Sequence, residues 1–207
     1  MPTTHPPSVN YWPQTACAKA FWGQHELRPY RQLLVNTIDW VDVRSGDRWL
    51  DLGCGCGELT RSLWERSAGK VAEIVALDCA AINARAIEQL REQVDPADTK
   101  GRIRFVRGDF SAGLSTWKSS HFDGVVSGLA IQYAESYIPG QGWTADAYEE
   151  LLREVYRVLS PGGRFVFSVN VPEPSWGKVG LHALPYILGS RRPFRLLKNI
   201  LRMSRYG

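Results

Sequence analysis

The chain has 207 residues, 44% of them hydrophobic and 22% charged, a composition typical of a single globular domain with one buried core. A formal net charge of +4 is too small to indicate a nucleic-acid partner, and no apolar run approaches the roughly 20 residues that span a bilayer. The spacing of Cys17, Cys54, Cys56 and Cys79 is typical of neither a disulfide framework nor a zinc knuckle, so we expect a cytoplasmic protein with free thiols and no bound metal.

The first 43 residues are predicted to form an arm and two covering helices. Residues 1–14 contain four prolines, which lack the amide hydrogen and the backbone freedom that a helix needs. Between residues 16 and 43 the apolar side chains recur at spacings near three and four, with an interruption at Pro29. This period predicts a helix on each side of the proline.

Residues 44–172 alternate between short apolar runs and longer amphipathic segments, which indicates βαβ units. Strands are expected at residues 48–52, 73–77, 103–106, 122–127 and 164–170, and helices at residues 58–67, 80–94 and 145–159. Right-handed crossovers place such strands in one mostly parallel sheet with helices on both faces. The predicted fold class is therefore α/β, a three-layer α/β/α sandwich.

The last segment, residues 173–207, is predicted to be helical and basic. It has no acidic residue after Glu173, and its basic residues are Lys178, Arg191, Arg192, Arg195, Lys198, Arg202 and Arg205. Apolar residues on one face with basic residues around them are typical of a helix at an anionic membrane surface, so peripheral membrane contact is one interpretation. A helix that covers the core and exposes a solvated basic face is the other.

Residues 50–58 carry the most informative motif. A buried strand runs through three alternating glycines, Gly53, Gly55 and Gly57, into an amphipathic helix. Glycine permits the tight strand-to-helix turn, and its missing Cβ lets a ligand lie against the main chain beside the helix amino terminus. The motif therefore predicts a nucleotide-like ligand at this turn.

Three carboxylates around the turn distinguish between such ligands. Asp78 ends the next strand, where it can accept hydrogen bonds from both hydroxyls of an adenosine ribose and would repel a 2′-phosphate. A dinucleotide fingerprint has glycine at the position of Glu58, and a carboxylate there opposes a pyrophosphate. Together with Asp51 before the turn, Glu58 favours a ligand with an ammonium and a sulfonium over one with two phosphates.

Residues 50–57, Leu-Asp-Leu-Gly-Cys-Gly-Cys-Gly, resemble the first motif of class I S-adenosylmethionine-dependent methyltransferases. Residues 108–110 resemble the family's adenine-binding motif and residues 122–127 its fourth strand. The junction of helix and fifth strand at residues 154–164 is similar to that of the small-molecule branch that includes ubiquinone and menaquinone methyltransferases. The resemblance implies a Rossmann-like fold with strand order 3-2-1-4-5.

The family's usual sixth and seventh strands have no matching pattern in residues 171–207. We therefore expect either a compact five-strand version of the fold or a chain that ends before the fold is complete. In the second case the fifth strand would leave an unpaired edge.

The resemblance also implies which residues bind S-adenosylmethionine. They are Asp51, Gly53, Cys54, Gly55, Gly57, Asp78, Cys79, Asp109, Phe110 and Ser127. At the methionine end, the backbone of residues 53–55 would cradle the ligand, Asp51 would receive its ammonium, and Ser127 would border it.

At the adenosine end, the resemblance places Asp78 at the ribose and Cys79 along the adenine face. Asp109 would accept from the adenine amino group, and the Phe110 amide would donate to the ring. A carboxylate that only stabilises a turn after a strand is the alternative for Asp109.

The sequence offers little for a general base. Some family members carry a histidine soon after the fourth strand, where this chain has Gln132 and Tyr133. Tyr133 is a weak candidate for orienting or deprotonating the nucleophile, and an aromatic residue at that spacing is also typical of core packing. Because the sulfonium leaving group is already activated, alignment of donor and acceptor is expected to supply most of the catalysis.

We therefore predict a methyltransferase that moves a methyl group from S-adenosylmethionine to an oxygen, nitrogen or carbon nucleophile of a small molecule, with lipid-like and quinone-like acceptors included. No nucleic-acid substrate is expected, because residues 127–130 lack the double-proline motif of amino-methylating nucleic-acid enzymes. Two alternatives stay open: a non-catalytic module that binds S-adenosylmethionine and acts through a partner, and an NAD-dependent oxidoreductase. The sequence does not indicate the oligomeric state.

Overall fold

The computed structural model describes residues 12–97, 101–134, 136–138 and 142–169, together with residues 181, 184, 185, 188, 189 and 194. The strands in these residues are Arg48–Leu52 (β1), Glu73–Asp78 (β2), Ile103–Arg107 (β3), Phe122–Gly128 (β4), Ser136–Ile138 (β5), Gly142–Thr144 (β6) and Leu159–Ser168 (β7). Five of them form one sheet in the order β3-β2-β1-β4-β7, and every pairing in it is parallel. This arrangement confirms the predicted sheet and its strand order.

The α-helices of the described residues are Thr15–Phe21 (α1), Arg28–Asp39 (α2), Glu58–Arg66 (α3), Asn83–Val94 (α4) and Asp146–Val158 (α5). The two covering helices are present, but the interruption lies at residues 22–27 rather than at Pro29. Pro29 is in the first turn of α2, where a helix needs no amide donor. The start predicted for α4 is too early, because the Ala80 amide donates to the Asp78 carboxylate at 2.8 Å and holds a turn there.

Side chains of the central strands alternate between two hydrophobic clusters, one on each face of the sheet. On β1, Trp49 packs with residues of α2, α3 and α4, whereas the neighbouring Leu50 packs with residues of α5. Alternation follows from the two-residue period of a strand. Because both faces of the sheet are covered, polar groups that act on a ligand are left at the strand ends.

Two parts of the fold differ from the prediction. The short strands β5 and β6 form a separate antiparallel pair between β4 and α5, which no pattern indicated. The fifth strand of the main sheet, β7, begins at Leu159 rather than at Arg164, so the start predicted at residue 164 is wrong. Pairing with β4 shifts between Phe122 and Gly124, and Gly162 has a φ of +82°, which lets residues 160–163 bulge within the strand.

The predicted boundaries after residues 43 and 172 stay predictions. The basic helical segment predicted for residues 173–207 lies outside the described residues, apart from the six positions between 181 and 194 given above. The helices that the structure describes are too short or too polar for any of them to cross a bilayer.

Candidate functional site

The carboxyl ends of β1, β2 and β4 meet at one edge of the sheet, and the glycine turn lies across that edge. The backbone amides of Gly53 and Cys54 donate to the Leu77 carbonyl oxygen at 2.9 and 3.0 Å. These bonds fix the turn to the end of β2, one residue before Asp78. Since both amides are already paired, the turn offers a ligand its shape rather than these two donors.

The three glycines of the turn have different surroundings. Their φ angles are +72° at Gly53, +52° at Gly55 and +91° at Gly57, a region that residues with a Cβ disfavour. A Cβ on Gly53 would lie 2.3 Å from the Ala130 Cβ, and one on Gly57 would lie 2.7 Å from the Ile87 Cδ1. A Cβ on Gly55 would meet no described atom within 4 Å. Gly55 therefore leaves open space where a ligand can approach the main chain.

Asp51 is a buried carboxylate beside the turn, with 1% of its surface exposed. Its Oδ2 accepts a hydrogen bond from the Thr60 hydroxyl at 2.7 Å, whereas its Oδ1 has no hydrogen-bond partner among the described residues. Burial raises the pKa of Asp51 to about 7, although hydrogen bonds from the side chain and backbone of Thr60 lower it. A buried acceptor without a donor costs free energy, and a cation that donates to Oδ1 would remove that cost.

Asp78 is held by donors on both carboxylate oxygens. Oδ2 accepts from the Gly55 amide at 2.9 Å, and Oδ1 accepts from the Ala80 amide at 2.8 Å. Burial raises the pKa of Asp78, and hydrogen bonds from both amides and from the Asn83 side chain lower it in part. Because each carboxylate oxygen has more than one lone pair, Asp78 can still accept from two neighbouring hydroxyls.

Asp109 and Cys79 are the residues that the sequence assigned to adenine, and the charges of Asp78 and Asp109 both act on the Cys79 thiol. Asp109 is exposed, and its Oδ1 accepts from the Ser111 amide at 2.9 Å. Asp109 therefore stabilises a turn after a strand, which was the alternative to adenine binding in the sequence analysis. Its second carboxylate oxygen is left for a ligand. Burial, followed by the charges of Asp78 and Asp109, raises the pKa of the Cys79 thiol to about 12.

Two residues predicted at the site lie in closely packed surroundings. Ser127 is fully buried, and its hydroxyl donates to the Leu52 carbonyl at 3.0 Å, so it connects β4 to β1. Phe110 is partly buried and packs with the hydrophobic cluster on the α5 face. Its ring also faces the turn, because Cε1 would lie 3.3 Å from a Cβ on Gly53.

The catalytic candidate Tyr133 lies on the loop that follows β4. It ends a short 3-10 helix that begins at Ile131, and its ring centroid is 4.3 Å from that of Trp12. The loop enters this helix through Leu129, which has a φ of +55°. An unfavourable backbone angle in a residue with a branched side chain is a feature of functional loops, and packing against Trp12 is equally evident.

One group near the turn has the donor atoms that a metal ion requires. Ligand atoms of His25, Cys56 and Glu58 lie within 4.8 Å of one another, and His25 Nδ1 is 3.2 Å from a Glu58 carboxylate oxygen. Burial, followed by the charge of Glu58, raises the pKa of the Cys56 thiol to about 12. A metal would have to displace that thiol proton, so the arrangement is also that of a histidine–carboxylate contact beside a neutral thiol.

Sequence reasoning missed two residues that lie against the carboxylates of Asp51 and Asp78. Thr60 on α3 is completely buried and donates to Asp51, and Asn83 on α4 is 2% exposed and donates to Asp78. A polar residue on the apolar face of a predicted helix was the available signal. It indicates burial next to a polar partner but does not identify that partner.

The sequence profile of the family described as "Methyltransferase domain" matches residues 50–167. This range contains the glycine turn, Asp78 and Asp109. It also contains the five strands of the main sheet, apart from the first two residues of β1 and the last residue of β7. The chain belongs to this family. The recognition of a class I methyltransferase from its motifs is therefore confirmed.

Known proteins resemble this methyltransferase domain over much of its length. The ubiquinone/menaquinone biosynthesis C-methyltransferase of Pseudomonas aeruginosa is 32% identical over 130 residues, 63% of this chain and 44% of the relative. The chain thus spans about half the length of the curated relatives it matches. A chain in the complex between the Haloferax volcanii Trm112 methyltransferase activator and a methyltransferase is 26% identical, with a TM-score of 0.56 over 86% of this chain and 67% of its own length. An S-adenosyl-L-methionine-dependent methyltransferase from Methanococcus maripaludis has the same fold at 17% identity, with a TM-score of 0.58 over 95% of this chain and 86% of its own.

Proposed function

We propose that this methyltransferase domain transfers a methyl group from S-adenosylmethionine to a nucleophilic oxygen, nitrogen or carbon of a small molecule. The observation that carries the proposal is the buried Asp51 Oδ1, which has no donor among the described residues and lies beside a turn whose Gly55 is open. Such an oxygen lacks a hydrogen-bond donor, and an alkylammonium group is a donor that also carries a positive charge. S-adenosylmethionine, the family's cofactor, carries one.

The residues around the turn fit the parts of this cofactor in order. Asp51 would accept from the methionine ammonium, and Asp78 would accept from the two ribose hydroxyls with the lone pairs that Gly55 and Ala80 leave. Asp109 would accept from the adenine amino group with its second oxygen. Gly53, Cys54 and Gly57 would shape the turn, the Phe110 amide and Cys79 would line the adenine, and Ser127 would support the methionyl end from within the sheet.

The bound cofactor supplies a methyl group on a sulfonium that is already a good leaving group. The protein's own contribution is to hold and orient, because the described side chains next to the turn are carboxylates, protonated thiols and His25, whose Nδ1 already faces Glu58. Holding two reactants in line converts a bimolecular step into a unimolecular one. Tyr133 is the proposed candidate for orienting the acceptor, since its loop borders the turn through Ala130.

The acceptor is proposed to be a lipid-like or quinone-like compound. Support comes from the relatives that are ubiquinone/menaquinone C-methyltransferases, and from the aromatic surface that Trp12, Phe21 and Tyr133 form next to the loop after β4. Such an acceptor is consistent with peripheral membrane contact through the basic tail. We place the protein in the cytoplasm on the same grounds as the sequence did, its free thiols.

Glu58 gives no support to the nicotinamide alternative. It is the first residue of α3, where a pyrophosphate would have to bind, and its carboxylate is already within 3.2 Å of His25. A non-catalytic module that binds S-adenosylmethionine would use the same turn. Only an assay of methyl transfer to acceptors distinguishes it from an active methyltransferase.

Calorimetry with S-adenosylmethionine, S-adenosylhomocysteine and NAD tests the proposal. We expect both adenosyl compounds to bind with one site per chain and NAD to bind much more weakly. Methyl-labelled cofactor incubated with quinone, lipid and small polar acceptors then identifies the acceptor class. Failure of the folded protein to bind either adenosyl compound would overturn the proposal, and binding without transfer to any acceptor would favour the non-catalytic module.

A further inference from the structure

A tryptophan that follows α1 forms a hydrogen bond with a side chain that lies next to Asp78, the carboxylate at the end of β2. The Trp22 indole Nε1 donates to Asn83 Oδ1 at 2.7 Å, across 61 positions of the chain. Asn83 is 2% exposed at the beginning of α4, and its side chain lies close enough to Asp78 to lower the pKa of that carboxylate as a hydrogen-bond donor. Trp22, Asn83 and Asp78 are thus connected in series.

The donor and acceptor atoms of the three groups determine which atom donates and which accepts at each contact in this series. An indole N–H only donates, so it must bind the carbonyl oxygen of Asn83. This leaves the Asn83 amino group to donate, and an ionised Asp78 only accepts. Every member of the series is therefore satisfied when Trp22 is in place. Without Trp22, a buried carbonyl oxygen loses its donor and the orientation of the amide is no longer fixed.

Two more contacts hold the same segment against the glycine turn. The Cys56 thiol lies 3.7 Å from the Trp22 carbonyl oxygen, and His25 lies 3.2 Å from Glu58. The Trp22 ring is also covered by the Lys19 ammonium, 5.8 Å from the ring centroid. The segment from α1 to His25 is consequently packed on the turn at the point where Trp22 enters the series.

We propose that Asn83 and Trp22 are positioning residues for the cofactor's sugar: Asn83 orients the Asp78 carboxylate towards the ribose hydroxyls, and Trp22 orients Asn83. Docking of the amino-terminal segment and recognition of the ribose are then one coupled event. The inference rests on the proposed function, in which Asp78 holds the ribose.

The test compares S-adenosylhomocysteine with its 2′-deoxy analogue on wild type and on Trp22→Phe and Asn83→Leu. Trp22→Phe keeps an aromatic ring and removes the donor, and Asn83→Leu keeps the branched shape and removes both hydrogen-bonding groups. Each variant is expected to bind S-adenosylhomocysteine roughly tenfold more weakly, about the value of one hydrogen bond to a charged group. Their affinity for the 2′-deoxy analogue should change less, because that ligand has lost one of the two hydroxyls that the carboxylate recognises.

Trp40→Phe is the matched control, since Trp40 is 77% exposed at the end of α2 and should bind both ligands as wild type does. Hydrogen exchange adds a second measurement: S-adenosylhomocysteine should protect amides of residues 15–27 in wild type and protect them less in Asn83→Leu. If Asn83→Leu does not fold, Trp22→Phe alone carries the test.

The proposal is overturned if both variants discriminate between the two ligands as well as wild type does, even when both ligands bind more weakly, because a merely structural role would lower both affinities equally. It is also overturned if the exchange protection is the same in Asn83→Leu as in wild type. Failure of wild type to bind S-adenosylhomocysteine is a different result, which removes the proposed function itself.

Discussion

Alanine substitutions at two glycines of the turn test whether one of them makes room for the ligand and the other makes room for core side chains. Gly55 and Gly57 both have a positive φ, +52° and +91°, so both substitutions strain the backbone. Their surroundings differ. An alanine at position 57 would meet Ile87 Cδ1 at 2.7 Å and Leu90 Cδ2 at 2.9 Å, whereas an alanine at position 55 would meet no described atom within 4 Å.

These contacts set the expected changes in the free energy of unfolding. Placing alanine in the left-handed region costs about 1–2 kcal/mol, and the loss of backbone freedom in the unfolded chain returns about 0.4–1 kcal/mol. Gly55→Ala should therefore lower the stability by about 1 kcal/mol, a shift of roughly 2–4 °C in Tm. Gly57→Ala adds overpacking of about 1–3 kcal/mol, for a total of about 2–4 kcal/mol and a Tm lowered by roughly 5–15 °C.

Binding should change in the opposite order. The Cβ of Gly55→Ala enters the space that the proposed ligand uses, so we expect S-adenosylhomocysteine to bind at least about tenfold more weakly. Gly57→Ala, at a temperature where it is folded, should lose less affinity than Gly55→Ala, because its Cβ points into the core and not into the ligand space. Thermal unfolding gives the stabilities and calorimetry gives the affinities. If Gly55→Ala binds as tightly as wild type, or loses as much stability as Gly57→Ala, the distinction drawn between the two glycines is refuted.

Three further predictions concern the buried carboxylate, the sheet and the metal content. The pKa of Asp51 in the folded protein is about 7, above its ordinary value of 3.8. As the pH rises, the Asp51 carboxyl therefore loses its proton at a lower pH in the unfolded chain than in the folded protein. The free energy of unfolding consequently falls as the pH rises from about 4 to about 7. Asp51→Asn should therefore be more stable than wild type at pH 8, with the difference shrinking as the pH is lowered through that window in paired unfolding curves. S-adenosylhomocysteine should bind wild type about tenfold more weakly at pH 6 than above pH 7, as the ionised fraction of Asp51 falls, and a similar pH dependence in Asp51→Asn would contradict this role. Gly124→Ala should lower the free energy of unfolding by about 3 kcal/mol or more, because the new Cβ would lie 2.1 Å from Cζ3 of the buried Trp49 ring; a denaturation midpoint equal to that of wild type would show that the ring can move. Elemental analysis of tag-free protein should find substoichiometric metal, since the Cys56 thiol has a pKa of about 12, and one equivalent of zinc that disappears in Cys56→Ser would contradict this prediction.

Local patterns in the sequence were enough to predict the sheet and the position of its site. The bounds of β1 are identical to the predicted ones, α3 ends one residue earlier than predicted, and α5 is one residue shorter than predicted at each end. Such elements depend on apolar periods and on glycine or proline at their ends, which act over a few residues. For the same reason Asp51, Asp78 and the glycine turn could be placed at one edge of the sheet before the structure was known.

Only the tertiary structure decided what each of these residues touches. Nothing in the motif distinguished the open Gly55 from the packed Gly57, and nothing in it indicated that one Asp51 oxygen would have no partner among the residues that the structure describes. The bulge in β7 and the series from Trp22 through Asn83 to Asp78 were equally absent from the local pattern. The physical reason is the range of the interactions: backbone propensity is a property of adjacent residues, whereas burial, hydrogen-bond pairing and steric contact depend on side chains that the fold brings together from distant parts of the chain.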